Sequence, residues 1–98
     1  MKLILRSAAK ADVAEAVRWY EGQRRGLGQE LRVELRACLA LVEENPFLHA
    51  ALLEEVRRAP LRRFPYGVYY FVQASTVEVL AILHNAREPA VWQSRSSG

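Results

Sequence analysis

Between residues 45 and 66 the spacing of apolar side chains changes from helical to extended, and this change bounds what the chain can become. Upstream, Val13, Ala16, Val17 and Tyr20 recur at helical intervals, and Leu27, Leu31, Leu35, Cys38, Leu39 and Val42 form a second stripe. The opposite face of that second stripe carries Arg32, Arg36 and Glu43. Gly22 and Gly26-Leu27-Gly28 break the pattern between the two. Ser7 reads as the N-cap of the first helix, with Asp12 and Glu15 early in it, where the helix dipole favours acids. Asn45-Pro46 closes the second helix, because the residue before a proline is pushed out of helical geometry. So short a connection predicts an antiparallel helical hairpin. Neither stripe runs through the several heptads that a coiled-coil adapter requires.

The extended part begins with Leu61 to Phe64 as a short segment. Val68-Tyr69-Tyr70-Phe71-Val72 follows, rich in the β-branched and aromatic residues that strands favour. Gln73-Ala74-Ser75 reads as a hairpin loop. Thr76 to Leu83 starts in alternation and becomes continuously apolar, as a central strand does. Before the helices, Leu3 and Leu5 alternate with Lys2, Ile4 and Arg6, which gives a short first strand. The order β-α-α-β-β-β predicts a two-layer α+β fold, a helical hairpin packed on a small antiparallel sheet.

The 98 residues hold no repeat, low-complexity tract or linker before Ser94-Arg95-Ser96-Ser97-Gly98, so they read as one domain, residues 1–98, with a flexible tail over about 94–98. Met1 to Arg6 is too short in apolar residues for a signal peptide or a membrane span, and the lone Cys38 suits a reducing compartment; both point to the cytoplasm. No Cys/His spacing suits a metal, and neither a metal nor a cofactor is expected. The net charge of +3 is unevenly spread: Arg57, Arg58, Arg62 and Arg63 crowd together with no acid among them. Such a patch attracts phosphate or an acidic protein segment, although a solvated basic face looks the same in sequence.

Several local patterns coincide with one family. Ala11-Asp12 leads to Trp19-Tyr20-Glu21, and Gly26-Leu27-Gly28 opens the second helix that Asn45-Pro46 closes. Val56-Arg57-Arg58 precedes Leu61-Arg62-Arg63-Phe64-Pro65-Tyr66 and then Val68-Tyr69-Tyr70. After the last strand come His84, Arg87, Pro89, Trp92 and Arg95. In order and spacing, from about residue 3 to 95, the chain resembles the RelE/ParE toxin superfamily, in particular its ParE-like, plasmid-stabilisation branch. The resemblance implies the toxin half of a type II toxin–antitoxin system, neutralised by a cognate ParD-like antitoxin. Sequence-specific DNA binding would then belong to the antitoxin, and nothing in this chain resembles a recognition helix.

The superfamily holds two mechanisms. ParE-like members resemble inhibitors that poison DNA gyrase, whereas RelE-like members resemble ribonucleases that cleave mRNA at the ribosome. Cleavage by 2′-hydroxyl attack needs a base, an acid and cations around the phosphate. On that reading His84, Arg63, Arg87 and Tyr66 form the catalytic set, on the exposed side of the sheet. The same residues also have plain structural readings: His84 anchoring the C-terminal segment, the tyrosines covering the sheet, Trp92 packing at its edge. RelE-like enzymes tend to carry several lysines in the sheet region and a tyrosine near the C-terminus. Here lysine occurs only at Lys2 and Lys10, and no tyrosine follows Tyr70. The resemblance therefore favours the gyrase branch, with no catalytic residue. The surface recognised by gyrase or covered by antitoxin is then expected at Arg57, Arg58, Arg62, Arg63, Arg87 and Trp92. A degenerate, non-toxic member that only binds antitoxin is the remaining reading. The expected antitoxin segment is acidic and partly disordered, and orders on binding.

Overall fold

A short strand, β1 (Lys2–Leu5), leads into the helices α1 (Ser7–Gln23) and α2 (Leu27–Glu44); β2 (Ala51–Leu53), β3 (Val56–Pro60), β4 (Tyr66–Gln73), β5 (Thr76–His84) and α3 (Ala90–Ser96) follow. This computed structural model describes residues 1–86 and 90–96. The strands form one sheet in the order β1-β5-β4-β3-β2. The α+β class and the helical hairpin agree with the sequence reading, but the sheet is mixed rather than antiparallel and has one more strand than expected. It contains the additional strand β2, and β1 pairs with β5 in parallel while the remaining neighbours are antiparallel. A parallel neighbour requires a long crossover, which the helical hairpin supplies.

Local differences have physical causes. Arg6, not Ser7, is the N-cap of α1: its extended backbone donates to Val79 O at 3.1 Å, and the helix starts at Ser7, one residue earlier than the sequence reading. α1 runs through Gly22, and the break falls at Gly26, whose φ of 88° suits a glycine. The carboxylate of Glu21 then accepts from the backbone N–H groups of Gly26 and Gly28, each at 3.0 Å, satisfying donors that the start of α2 would otherwise leave open. The segment from Leu61 to Phe64 is a turn rather than a strand. Pro60, opposite Gly67, ends β3, and Leu61 and Phe64 reach the core from the turn.

The sheet is covered on both faces. On one, Ala9, Ala16, Leu31 and Leu35 of the hairpin pack on Val68, Tyr70, Val77 and Val79. The buried Tyr70 hydroxyl donates to Pro46 O at 2.7 Å, which fixes the exit of α2. On the other face, Val56, Tyr69, Leu80, Ala81 and Leu83 gather around Trp92 of α3. A register shift at Tyr69/Tyr70 lets the consecutive residues Leu80 and Ala81 both join that second cluster. β1 ends opposite Val79, which leaves backbone groups of β5 uncovered beyond it. There Asp12 accepts from Ile82 N at 3.0 Å, Arg95 donates to Leu80 O at 3.3 Å, and Arg95 and Asp12 form an ion pair at 2.6 Å. Residues 94–96, expected in a flexible tail, are the last turn of α3 because this clasp holds them. No helix among the described residues is long and apolar enough to cross a membrane.

Candidate binding surface

The arginines from 57 to 63 do not form one free patch. Neighbours on a strand face opposite sides of a sheet, and β3 separates Arg57 from Arg58 in this way. Arg57 lies opposite Tyr70, donates to His49 O and covers the Phe47 ring with its guanidinium 5.1 Å from the centroid. Arg58 lies opposite Tyr69, donates to the Tyr69 hydroxyl at 3.2 Å and bonds Asn85 Oδ1. Gly67 makes room for it, since a Cβ there would stand 2.5 Å from Arg58 Nε.

Arg62 and Arg63 sit on the turn after β3 and are tied to α2. Their backbone N–H groups donate to Glu34 Oε2 at 2.6 and 3.0 Å. The Arg63 guanidinium pairs with Glu34 at 3.2 Å and Glu30 at 3.4 Å, and lies over the Phe64 ring. Burial pushes the Glu34 carboxyl up, but the N–H donors of Arg63 and Arg62 and the Arg63 guanidinium outweigh it and hold the group below its ordinary range. Arg63 looks unopposed in sequence because its acids, Glu30 and Glu34, lie in the preceding helix.

Trp92 does not join this surface. It is 5% exposed and stacks on Tyr69 with centroids 5.4 Å apart, so it anchors α3 rather than presenting its face to a partner. Arg87 lies outside the described residues. Of the ribonuclease set, Tyr66 and His84 are cross-strand partners with rings 5.3 Å apart. His84 Nδ1 accepts from Ala86 N at 3.0 Å, and Arg63 is held by α2 instead. Tyr66 and His84 line a cleft of about 300 Å³ with Asp12, Glu15, Trp19 and Tyr20.

A second cationic region escaped the sequence reading. Between α1, α2 and β1 lies a groove of about 280 Å³ floored by Leu5, Val13, Leu35 and Leu39 and rimmed by Lys10, Arg32 and Arg36. No acid lines it, and among the described residues none of these three cations takes a side-chain partner. The helical spacing of Arg32 and Arg36 was the available signal; Lys10 reaches the same groove only through the fold. Burial first, then the charge of Glu34, pushes the Cys38 thiol up, away from the thiolate form. Among the described residues no three metal-ligating side chains converge.

Comparison with known proteins agrees with this architecture. The profile of the family described as "ParE toxin of type II toxin-antitoxin system, parDE" matches residues 3–89. No curated protein sequence matches. Among solved structures, a chain of the chromosomal ParDE toxin–antitoxin system from P. aeruginosa superposes with a TM-score of 0.77 at 17% identity, covering 86% of this chain and 95% of that one. At that identity the likeness is one of fold.

Proposed function

Because the chain belongs to the ParE toxin family of type II toxin–antitoxin systems, we propose that it arrests growth in the cytoplasm by inhibiting DNA gyrase, and that a cognate ParD-like antitoxin neutralises it. The toxin then supplies binding anchors rather than catalytic groups. The observation that carries the gyrase reading against RNA cleavage is the state of Arg63. Arg63, one of the two cations that a phosphate-cleaving site would use, is held by Glu34 and Glu30. His84 Nδ1, meanwhile, is occupied by a backbone N–H.

The antitoxin's acidic segment lies along the hairpin groove, its apolar side chains over Leu35 and Leu39 and its carboxylates at Lys10, Arg32 and Arg36. Of the remaining arginines, the exposed Arg62 and Arg63 on the turn after β3 offer a second contact for the target or for the antitoxin's continuation, and Arg57, Arg58 and Arg87 are further candidates for separate contacts.

A supercoiling assay with purified gyrase, plasmid DNA, ATP and increasing toxin tests this reading. Linear DNA accumulates or supercoiling stops, and added antitoxin reverses the effect. A folded, growth-arresting toxin without effect on gyrase would move the target to the ribosome, with His84, Arg63 and Arg87 the first residues to replace. A chain that binds antitoxin but never arrests growth would be a degenerate member.

A further inference from the structure

The β2 edge of the sheet gathers carboxylates and exposed apolar side chains, with the Arg57 guanidinium over Phe47 its neighbouring cation. All 14 Lys and Arg lie outside residues 37–56, whereas that stretch holds Glu43, Glu44, Glu54 and Glu55. Among the described residues none of these four carboxylates has an ion-pair partner. The same stretch contains Phe47, Leu48, Leu52 and Leu53, which are 58, 67, 53 and 49% exposed. Phe47 rests against Arg57, the cross-strand partner of Ala51, which places it beside β2.

β2 is the outer strand of the sheet, so one row of its backbone groups faces away from any neighbour. Proteins ordinarily blunt such an edge by keeping it short or bulged, as β2 is, or by placing lysine, proline or another charge on it. Here the strand reads Ala51-Leu52-Leu53 and is exposed throughout. The opposite edge, β1, begins at Lys2 and is followed by Arg6.

The electrostatics select the occupant. A helix C-terminus carries partial negative charge and is ordinarily complemented by a cation. α2 has no basic residue in its last turn and ends on Glu43 and Glu44 instead. Glu54 and Glu55 form the turn at the other end of β2. A second copy paired edge to edge would bring like charges together, whereas a cationic segment relieves all of them.

We propose that this edge is a docking site for an extended protein segment that adds as a strand outside β2. It would carry apolar side chains for Phe47, Leu48, Leu52 and Leu53, and Lys or Arg residues for the flanking glutamates. The site is separate from the hairpin groove and opposite in charge, and does not depend on the gyrase reading.

Short synthetic peptides test it on the full chain: one alternating Lys and Val, one alternating Glu and Val, and one Lys/Val peptide with proline at the pairing positions. Binding is read by amide shift mapping and fluorescence anisotropy. The Lys/Val peptide shifts the amides of Ala51 to Glu54 and binds at least about tenfold more tightly than the Glu/Val peptide. The proline peptide does not bind. Leu53→Lys abolishes binding, and Glu54→Lys with Glu55→Lys reverses the preference toward Glu/Val. These side chains are exposed, and an unchanged thermal melt confirms that each variant is folded. Equal affinity for the Glu/Val peptide, shifts confined to the hairpin groove, no binding at all, or concentration-dependent dimerisation through β2 in the absence of peptide would each overturn the proposal.

Discussion

The arginines of residues 57–63 and the cations of the hairpin groove look alike in composition but differ in what the fold has already done with them. Arg57, Arg58 and Arg63 are committed to a carbonyl, a tyrosine, an asparagine and two glutamates. Lys10, Arg32 and Arg36 stand around an apolar floor with no acid among the described residues that line it. A committed guanidinium must give up a partner before it can take another, and that exchange cancels most of the gain. An uncommitted cation keeps its full attraction for an incoming carboxylate. Crowding of like charges in sequence therefore measures neither free charge nor binding power.

The difference can be broken most directly by charge reversal. Arg32→Glu combined with Arg36→Glu lowers antitoxin affinity about a hundredfold, whereas Arg62→Glu with Arg63→Glu lowers it about tenfold or less. Calorimetric titration of both pairs decides between the surfaces, and equal losses would erase the contrast. Next in size is Glu34→Ala, which releases the 61–66 turn and frees Arg63. It costs about 1–2 kcal/mol of stability in denaturant unfolding, and unchanged stability would mean that Arg63 was never committed. Gly67→Ala should cost about 1 kcal/mol, because its Cβ displaces Arg58 from Tyr69 and Asn85. Additive losses in the double variant with Arg58→Ala would contradict that coupling.

The smallest effect is one of pH. Glu34 and Glu21 both titrate below the ordinary 4.5, Glu21 chiefly through the backbone donors Gly26 and Gly28. A group whose folded value is depressed stabilises fully above its unfolded value and ceases to as pH falls through the folded one. Stability thus begins to fall below about pH 4.5, and Glu34→Gln flattens that part of the profile. An unaltered slope in the variant would remove Glu34 from the account.

The helical hairpin and the two long strands were legible because each rests on local period: the stripe from Leu27 to Val42, and the β-branched and aromatic runs from Val68 and from Thr76. β2 was not, since three residues carry no period. The extended signal falls on Leu61 to Phe64 instead of β3 because the middle of β3 is Arg57-Arg58, one on each face, and the apolar residues come from the turn. The parallel pairing of β1 with β5 and the helical state of Arg95 depend on partners far along the chain and leave no local trace. The site followed the same rule. The arginines were visible, but Glu34, 29 positions before Arg63, and Lys10 entered only through tertiary structure. Trp92 was named for both possible roles, and burial against Tyr69 assigns it to packing.

The Asp12–Arg95 clasp also orders events in time. Its partners lie 83 positions apart, so on a ribosome the carboxylate emerges long before the guanidinium that completes it. Until then the β5 edge beside Ile82 stays unsealed, and the second core cluster lacks Trp92. Long-range closures of this kind slow folding and leave strand edges exposed meanwhile. The hairpin can therefore be complete before the clasp and the second cluster that finish the sheet edge.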